Sequence, residues 1–380
     1  MRLGRHIDGF VDAYYGPPEL SAQVEAEDVA EPAALVGDAE ALRWGLGEDG
    51  ALDPQRRSWM AAQVVGMQTV ARRLAGEPIS FSDEVESCYG VRPRFVPEDE
   101  FAAAHEALDR VLPGSGSLAE RYQAWREGNP VPTDVLEHAL LAIVADLRDV
   151  TAAELGLPEG ESIQVELVSE VPWAAFNYYL GGLHSRIAVS TDLPQPATFF
   201  GELVAHETYP GHHTERVCKE ALLVREGRRL EETIVLIGAA QSLIAEGIAS
   251  VGADVLLGPG GVQRIAAEHL RAAGVELDPD LARTVLETRE PLAHVPTNAA
   301  LLVHERGAGL DEVREYVRRW ALVSEDRAAK SVAFVTDPTW RAYASTYTDG
   351  RRLCAAFVGT DLGRFRRLLT EQLLPQDLAA

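Results

Sequence analysis

The chain has 380 residues, of which 46% are hydrophobic and 25% charged, as in an ordinary soluble globular protein. Its formal net charge of −24 excludes a basic face that would follow nucleic acid, and it disfavours binding to an anionic membrane surface. Its 3 cysteines form no CxxC pair, and we see neither an apolar signal core nor a membrane-spanning run. These features predict a cytoplasmic protein.

Helical periodicity covers most of the chain. It predicts helices over 54–76, 98–112, 116–127, 133–156, 195–226, 229–257, 260–274, 308–324, 338–356 and 360–374. Two stretches, 161–172 and 186–194, instead read as strands, the first with alternating Ile163, Val165 and Leu167. The sequence therefore predicts a mainly α fold with a small β-sheet before a long helix.

The stretch AHETYPGHH at 205–213 contains a His-Glu pair, a Pro-Gly pair and two adjacent histidines. In many zinc peptidases, two histidines at i and i+4 of a helix bind the metal and the Glu beside the first acts as general base. Here the residue four after His206 is Pro210. On an ideal helix His213 lies about 10.5 Å further along the axis and His212 about 240° around it. Neither could then share with His206 a zinc that needs nitrogens at about 2.0–2.1 Å.

The Pro-Gly pair changes this geometry. Pro210 has no N–H for the carbonyl of His206 and its ring clashes there, so the helix must kink, bulge or restart, and Gly211 gives the backbone freedom to do so. A two-residue insertion in this turn would bring His212 to the place usually held by i+4. We predict His206 and His212 as metal ligands, with His213 as the competing choice for the second.

A third ligand is predicted in SLIAEGIASVGADVLLG at 242–258, which is apolar on nearly every side except at Glu246, Ser250 and Asp254. A lone carboxylate in such a segment costs several kcal/mol unless it is paired or bound to a cation. Glu246 is therefore the predicted ligand, with Asp254 or Ser250 supporting it. Pairing with an arginine from elsewhere is the alternative.

These segments resemble a known family. HETYPGHH, the later AEGIASVGAD and YASTYTDGRRL at 343–353 are similar to the bacterial family called domain of unknown function 885, clearly over 160–356. That family is similar in fold to the Taq-type metallocarboxypeptidases, which are gluzincin-like enzymes. The resemblance implies a helical, zincin-like metallopeptidase architecture, and aligning the Gly-His pairs selects His212. Ile248 departs from the pattern because the family commonly has Trp there.

The predicted centre is one Zn²⁺ per chain, held by His206, His212 and Glu246, with an open fourth position for water. Glu207 is the predicted general base. Tyr347 is the first candidate to stabilise the oxyanion, with Tyr343 behind it.

Substrate contacts are expected from His213, which could also support the ligands, and from Arg351 as a guanidinium fork for a substrate carboxylate. The strand at 186–190 is expected to offer an edge to an extended peptide. The expected function is a carboxypeptidase-like metallopeptidase acting on short peptides, without nucleic acid or membrane as partner and with a homodimer as an option.

Two other functions stay open: a metal-dependent amidase acting on a non-peptide metabolite, and a non-catalytic zinc-binding scaffold. A carboxylate-bridged di-iron bundle is disfavoured, since Glu202 and His206 lack the Glu-x-x-His spacing. We predict a single mostly helical domain over 1–380, with 1–95 as an N-terminal helical cap and 160–356 as the catalytic core.

Overall fold

A computed structural model describes residues 1–171, 173–192 and 195–378. Within them the chain is mainly helical with small sheets, as predicted. The first seven helices precede the sheet: α1 (Pro18–Ala26), α2 (Pro32–Glu48), α3 (Pro54–Leu74), α4 (Phe81–Tyr89), α5 (Glu98–Val111), α6 (Leu118–Glu127) and α7 (Thr133–Leu155). The others follow it: α8 (Ala197–Glu207), α9 (His212–Lys219), α10 (Ala240–Leu257), α11 (Gly261–Ala272), α12 (Pro279–Thr288), α13 (Val295–His304), α14 (Leu310–Trp320), α15 (Glu325–Thr336), α16 (Ala344–Val358) and α17 (Leu362–Thr370).

The strands are short: β1 (Val11–Tyr14), β2 (Pro130–Val131), β3 (Ser162–Val168), β4 (Ala175–Gly181), β5 (His184–Ser190), β6 (Gln195–Pro196) and β7 (Ile234–Leu236). The largest sheet has the order β3-β5-β4, with β5 parallel to β3 and antiparallel to β4. Two further antiparallel pairs join β1 to β7 and β2 to β6.

The two predicted strands correspond to β3 and β5, and both are shorter than predicted. Pro172 of the first prediction and residues 193–194 of the second lie outside the described residues. The prediction that β5 offers a free edge is wrong, because β3 and β4 pair with it on both sides.

Two predicted helices are also corrected. The helix over 195–226 is broken between α8 and α9, and the helix over 229–257 begins only at Ala240. Before Ala240 lie a 3-10 turn, Leu230–Thr233, and β7. The run Ile234–Leu236 is apolar and its first two residues are β-branched, and its pairing with β1 overrides the helical pattern of its surroundings.

Several helices were not predicted, namely α1, α2, α4, α12, α13 and α15. Their local signals are present: Pro occupies the first turn of α1 and α2, and Ser80 caps α4 by accepting from the amide of Asp83. In α1 and α2 these signals mark the helix ends more clearly than the weak apolar periodicity does, whereas α4 and α12 also have a clear apolar face.

Helices α10 and α16 pack closely because glycines face each other between them. A Cβ at Gly247 would lie 2.4 Å from Cys354 Sγ and 2.5 Å from the carbonyl oxygen of Gly350. A Cβ at Gly350 would lie 2.4 Å from the carbonyl oxygen of Leu243. Neither position therefore accepts a side chain without moving a helix. The close approach joins the middle of α10 to the middle of α16.

Helix α10 is long and apolar enough to span a membrane by length and composition alone, but 72% of its window is buried inside the protein. It lies in the larger hydrophobic cluster with Leu243, Ile244 and Ile248. A second cluster packs α7 against the main sheet and α8. This degree of burial is typical of a core helix.

The division into a single domain, a cap at 1–95 and a core at 160–356 stays a prediction.

Candidate metal centre

Four residues, Thr208 to Gly211, separate α8 from α9. The amide of Gly211 donates to the carbonyl of Ala205 at 3.1 Å, so the chain folds back onto the end of α8. A Cβ at Gly211 would lie 2.0 Å from the carbonyl oxygen of His206, which leaves no room for any side chain. The Pro-Gly pair thus ends one helix and starts the next with His212 as its first residue.

This restart brings together the side chains of His206, His212 and Glu246. One possible ligand atom from each lies within 4.8 Å of the others. The Nε2 of His206 is 3.4 Å from Oε2 of Glu246, and the Nε2 of His212 is 3.7 Å from Oε1. The two imidazole rings are nearly perpendicular, with their centroids 4.7 Å apart.

The geometry and donor set of this cluster fit a metal ion. Two donors about 2.05 Å from a tetrahedral ion lie about 3.3–3.4 Å apart. The 3.4 Å between His206 Nε2 and Glu246 Oε2 matches this separation, and both His–Glu distances are too long for a good hydrogen bond. Glu246 Oε2 is buried and has no hydrogen-bond partner among the described residues. Oε1 accepts from the hydroxyl of Tyr343 at 2.8 Å, which orients the carboxylate. Two imidazole nitrogens and one carboxylate oxygen form a set that zinc prefers.

The electrostatics of the cluster reflect its buried charges. Burial lowers the pKa of His206, but the carboxylates of Glu246, Glu207 and Glu202 outweigh this and raise it to about 9. Burial and then the neighbouring His206 lower the pKa of His212 to about 4. Burial raises the pKa of Glu246, but the two histidines outweigh it and the net shift is downward. An ionised carboxylate and a neutral imidazole are the forms that bind a metal, so Glu246 and His212 are already in that form near neutral pH, whereas His206 must release its proton when a metal binds.

Glu207, the predicted base, lines the same cleft beside the cluster. Burial raises its pKa to about 7, helped by Glu246 and Asp12 and opposed by His206. The side-chain amide of Asn177 in β4 donates to the backbone carbonyl of Glu207 at 2.7 Å and holds the end of α8 against the sheet. A carboxylate with this pKa can take up and release a proton near neutral pH.

Tyr347 and Tyr343 both line the cleft, one helical turn apart at the start of α16. Their rings meet edge to face, with centroids 5.5 Å apart. Tyr347 is 43% exposed, whereas Tyr343 is buried with its hydroxyl on Glu246. The structure therefore puts Tyr347 where a substrate could reach it. It gives Tyr343, rather than Ser250 or Asp254, the contact that supports Glu246.

His213 differs from the prediction of a substrate contact. Its side chain is fully buried and turned away from the cleft. Its Nδ1 pairs with the hydroxyl of Ser185 at 2.8 Å and its Nε2 with Oε2 of Glu161 at 2.9 Å. Glu161 also accepts from Tyr209 and, at 2.7 Å, from Arg148. His213 thus anchors the helix break to the sheet, because both ring nitrogens are already engaged there.

Arg351 also lies outside the cleft, so the structure does not bring it to a substrate. Its guanidinium donates to the carbonyl of Ser250 at 2.9 Å and lies 3.5 Å from the carboxylate of Asp254. Both partners are on α10, one and two turns beyond Glu246. Arg351 therefore ties α16 to α10 on the surface.

Most of the residues that line the cleft were not found from the sequence, among them three polar ones that the site uses: Asp12 of β1, Asn177 of β4 and Arg216 of α9. Asp12 and Asn177 come from strands that were missed, and no linear motif marks them. Arg216 carried a usable signal, because it lies four residues after His212 and so shares its helix face. The cleft has a volume of about 470 Å³, within the range of small-molecule sites.

Comparison with known proteins adds evidence about the fold alone. No protein-family model matches the chain, and no curated protein matches it. A solved structure described as "the putative lipoprotein from Colwellia psychrerythraea" matches with a TM-score of 0.53 at 12% identity, over 90% of this chain and 64% of that one. Another, described as a "putative lipoprotein of unknown function from Shewanella oneidensis", matches with a TM-score of 0.47 at 11% identity, over 90% and 73%. This chain therefore spans about two thirds of the length of the Colwellia protein.

These findings correct two predictions. The resemblance to the domain of unknown function 885 family and to metallocarboxypeptidases is wrong, because no family model matches and the Colwellia protein of similar fold is described only as a "putative lipoprotein". The predicted cytoplasmic location is contradicted by the same comparison, because that description belongs to a class of proteins that covalent lipid holds at membranes.

Proposed function

We propose that this protein is a metal-dependent hydrolase, with a zincin-like arrangement, that cleaves amide bonds in short peptides. One observation carries the proposal: three candidate ligand atoms lie within 4.8 Å of one another in a cleft that Glu207 also lines. A purely structural zinc site uses a fourth protein ligand, whereas a catalytic site has three and leaves one position open. The described residues contribute three donors here, which supports catalysis over a zinc-binding scaffold.

His206, His212 and Glu246 would hold the metal. When bound, a zinc ion supplies Lewis-acid chemistry, acidifying water and polarising a carbonyl group. Tyr343 keeps one oxygen of Glu246 in place, so the carboxylate presents its other oxygen, Oε2, to the ion. Such supporting hydrogen bonds typically change metal affinity by about 10–100-fold.

Glu207 moves the proton. Hydrolysis consumes one water: its oxygen bonds to the carbonyl carbon, one of its protons passes to the Glu207 carboxylate, and the C–N bond breaks. Glu207 then gives that proton to the leaving nitrogen, so that an acid and an amine are released. Its pKa of about 7 suits both transfers. Tyr347 is the candidate donor to the oxygen that becomes negative.

The dimensions of the cleft support a short substrate. A volume of about 470 Å³ accommodates a ligand of a few residues and excludes a folded chain. The walls include the aromatic side chains of Phe176, Phe334 and Trp340, which would pack against an apolar residue. A non-peptide amide of similar size would fit as well, so the assay must include both.

The test is hydrolysis by the zinc-loaded full chain of a mixed library of short peptides and N-acyl amines, followed by mass spectrometry. We expect cleavage of peptides, and a rate about 10²–10⁴-fold lower in Glu207→Gln. Zinc content should be equal in the two proteins. If the zinc-loaded wild type cleaves neither class, or if Glu207→Gln is as active as the wild type, the proposal is wrong.

A further inference from the structure

Arg216 is a charged group in the cleft that the proposed chemistry does not use. It lies on α9 four residues after His212, so both side chains project from the same face of the helix. Its side chain is 10% exposed, and it is among the residues that line the cleft. A buried guanidinium has five N–H donors and normally engages them with carboxylates or carbonyls.

Those donors are free in the described part of the chain. The carboxylate nearest to the Arg216 guanidinium is that of Glu215, at 3.9 Å, which is too far for a hydrogen bond. Glu215 is instead engaged by Lys219, whose ammonium group donates to it at 2.7 Å. Asp12 lines the same cleft, but no ion pair joins it to Arg216 within the described residues.

The Arg216 guanidinium has a long ion pair with Glu215 but donates no hydrogen bond among the described residues, and such a group at a cleft wall points to an anionic ligand. The protein as a whole carries a net charge of −24, and the charged residues that line the cleft are the acidic Asp12, Glu207, Glu246 and Asp337 and the basic Arg216 and Lys330. The acidic groups repel an anion unless a fixed cation receives it. Of the two cations, Arg216 is the one that shares a helix with a candidate metal ligand, whereas Lys330 lies on α15. A planar guanidinium suits a carboxylate in particular, because it can donate two parallel hydrogen bonds to it.

The position of Arg216 limits where that carboxylate can lie relative to the bond that is cleaved. One helical turn, about 6 Å along the axis, separates Arg216 from His212. An extended chain covers about 3.3–3.6 Å per residue, so this distance corresponds to one or two residues. Because both side chains project from the same face of α9, this backbone spacing is compatible with a carboxylate at Arg216 and the amide of the last residue next to the candidate metal ligands.

We infer that Arg216 binds the free carboxylate of an N-acylated amino acid residue, either a small acyl-amino acid or the C-terminal residue of a peptide. The inference rests on the proposed function for the bond that is cleaved, but the binding itself does not require turnover. The aromatic walls at Phe176, Phe334 and Trp340 favour an apolar side chain on that residue.

The test is calorimetric titration of the full chain at neutral pH with two probes of nearly equal shape, N-acetyl-L-phenylalanine and N-acetyl-L-phenylalaninamide. We expect the wild type to bind the acid on the order of 10–100-fold more tightly, as for hydrogen bonds to a charged group. Ala-Ala-Phe and its amide, titrated in the same way, separate peptides from small acyl-amino acids. A wild type that binds acid and amide equally in both pairs overturns the inference without any variant.

Substitutions identify the residue that is responsible for the preference for the acid. Arg216→Gln should lose the preference for the acid, and Arg216→Lys should retain part of it if the charge matters. Arg351→Gln, which removes the same charge outside the cleft, should keep the full preference. Circular dichroism and thermal unfolding establish that each variant is folded. A folded Arg216→Gln that keeps the preference, or an Arg351→Gln that loses it, contradicts the assignment.

Failure of this inference is distinct from failure of the proposed function. A chain that hydrolyses acid and amide peptides equally well retains the proposed function and loses the role of Arg216. A chain that prefers the acid in binding but hydrolyses nothing retains the carboxylate site and loses the proposed function.

Discussion

His212 and His213 are the first two residues of α9, directly after the helix break, but their side chains lie on different sides of the chain. His212 lies in the cleft, with its Nε2 3.7 Å from Glu246 and no good hydrogen bond to it. His213 is fully buried on the sheet side, and both of its ring nitrogens have partners at 2.8–2.9 Å. We call these the cleft side and the sheet side of the break.

The two sides differ in how their polar atoms are satisfied. On the sheet side the buried carboxylate of Glu161 pairs with the buried Tyr209 and His213 and with the half-exposed Arg148, so every one of these contacts has a partner within the chain. On the cleft side Glu246 Oε2 has no hydrogen-bond partner among the described residues. Buried polar atoms that lack partners cost free energy unless a ligand satisfies them. The contacts on the sheet side therefore hold the helix break in place, whereas the cleft side has the features of a ligand-binding site.

The largest effect is expected from breaking the sheet side. Glu161→Ala leaves the buried His213 and Tyr209 without their hydrogen-bond acceptor, and each buried group left unsatisfied costs about 1–3 kcal/mol of unfolding free energy, while the half-exposed Arg148 adds little. Urea unfolding measures this cost. The control is Glu166→Ala, whose pair with Arg186 is 40–45% exposed and should be worth less than about 1 kcal/mol. Equal costs for the two variants would contradict the comparison.

On the cleft side, Tyr347→Phe removes only a hydroxyl at the surface of the site. We expect kcat to fall by about 10²–10³-fold if this hydroxyl stabilises the oxyanion, while zinc content and unfolding free energy stay unchanged. Tyr343→Phe is the matched variant and should instead weaken zinc binding, because its hydroxyl supports Glu246. Steady-state kinetics beside zinc titration distinguish the two. An unchanged kcat in Tyr347→Phe would remove this residue from the mechanism.

The junction between the two sides is tested at Gly211. Gly211→Ala puts a methyl group 2.0 Å from the carbonyl oxygen of His206, so the backbone must shift. We expect a loss of about 1–3 kcal/mol, as for overpacked sites, together with weaker zinc binding. The control Gly45→Ala lies within α2 with nothing within 4 Å of the new methyl group, and should stabilise by about 0.5–1 kcal/mol. A Gly211→Ala variant with full stability and zinc affinity would show that the junction is not tight.

The sequence predicted the parts of the site that follow from local chemistry. The clash of Pro210 with the preceding turn and the isolation of Glu246 in an apolar helix are readable from the residues themselves. The clustering of His206, His212 and Glu246 agrees with that reading, while their role as ligands stays a prediction.

The rest depended on long-range pairing that no local pattern carries. Asp12 reaches the cleft because β1 pairs with β7, more than 220 residues later in the chain. His213 forms a hydrogen bond with Glu161 instead of lining the cleft. Glu161 lies directly before β3 and belongs to no sequence motif. Arg351 was predicted from the sequence to contact a substrate carboxylate, but its guanidinium donates to α10 instead.

The most direct test of the account is the zinc content of the purified protein, compared in the wild type, His212→Ala and His213→Ala after equal exposure to zinc. We predict about one zinc per chain in the wild type and in folded His213→Ala, and little in His212→Ala. Retention in His212→Ala with loss in His213→Ala would reverse the two sides of the break. A wild type that binds no zinc would contradict the metal centre itself.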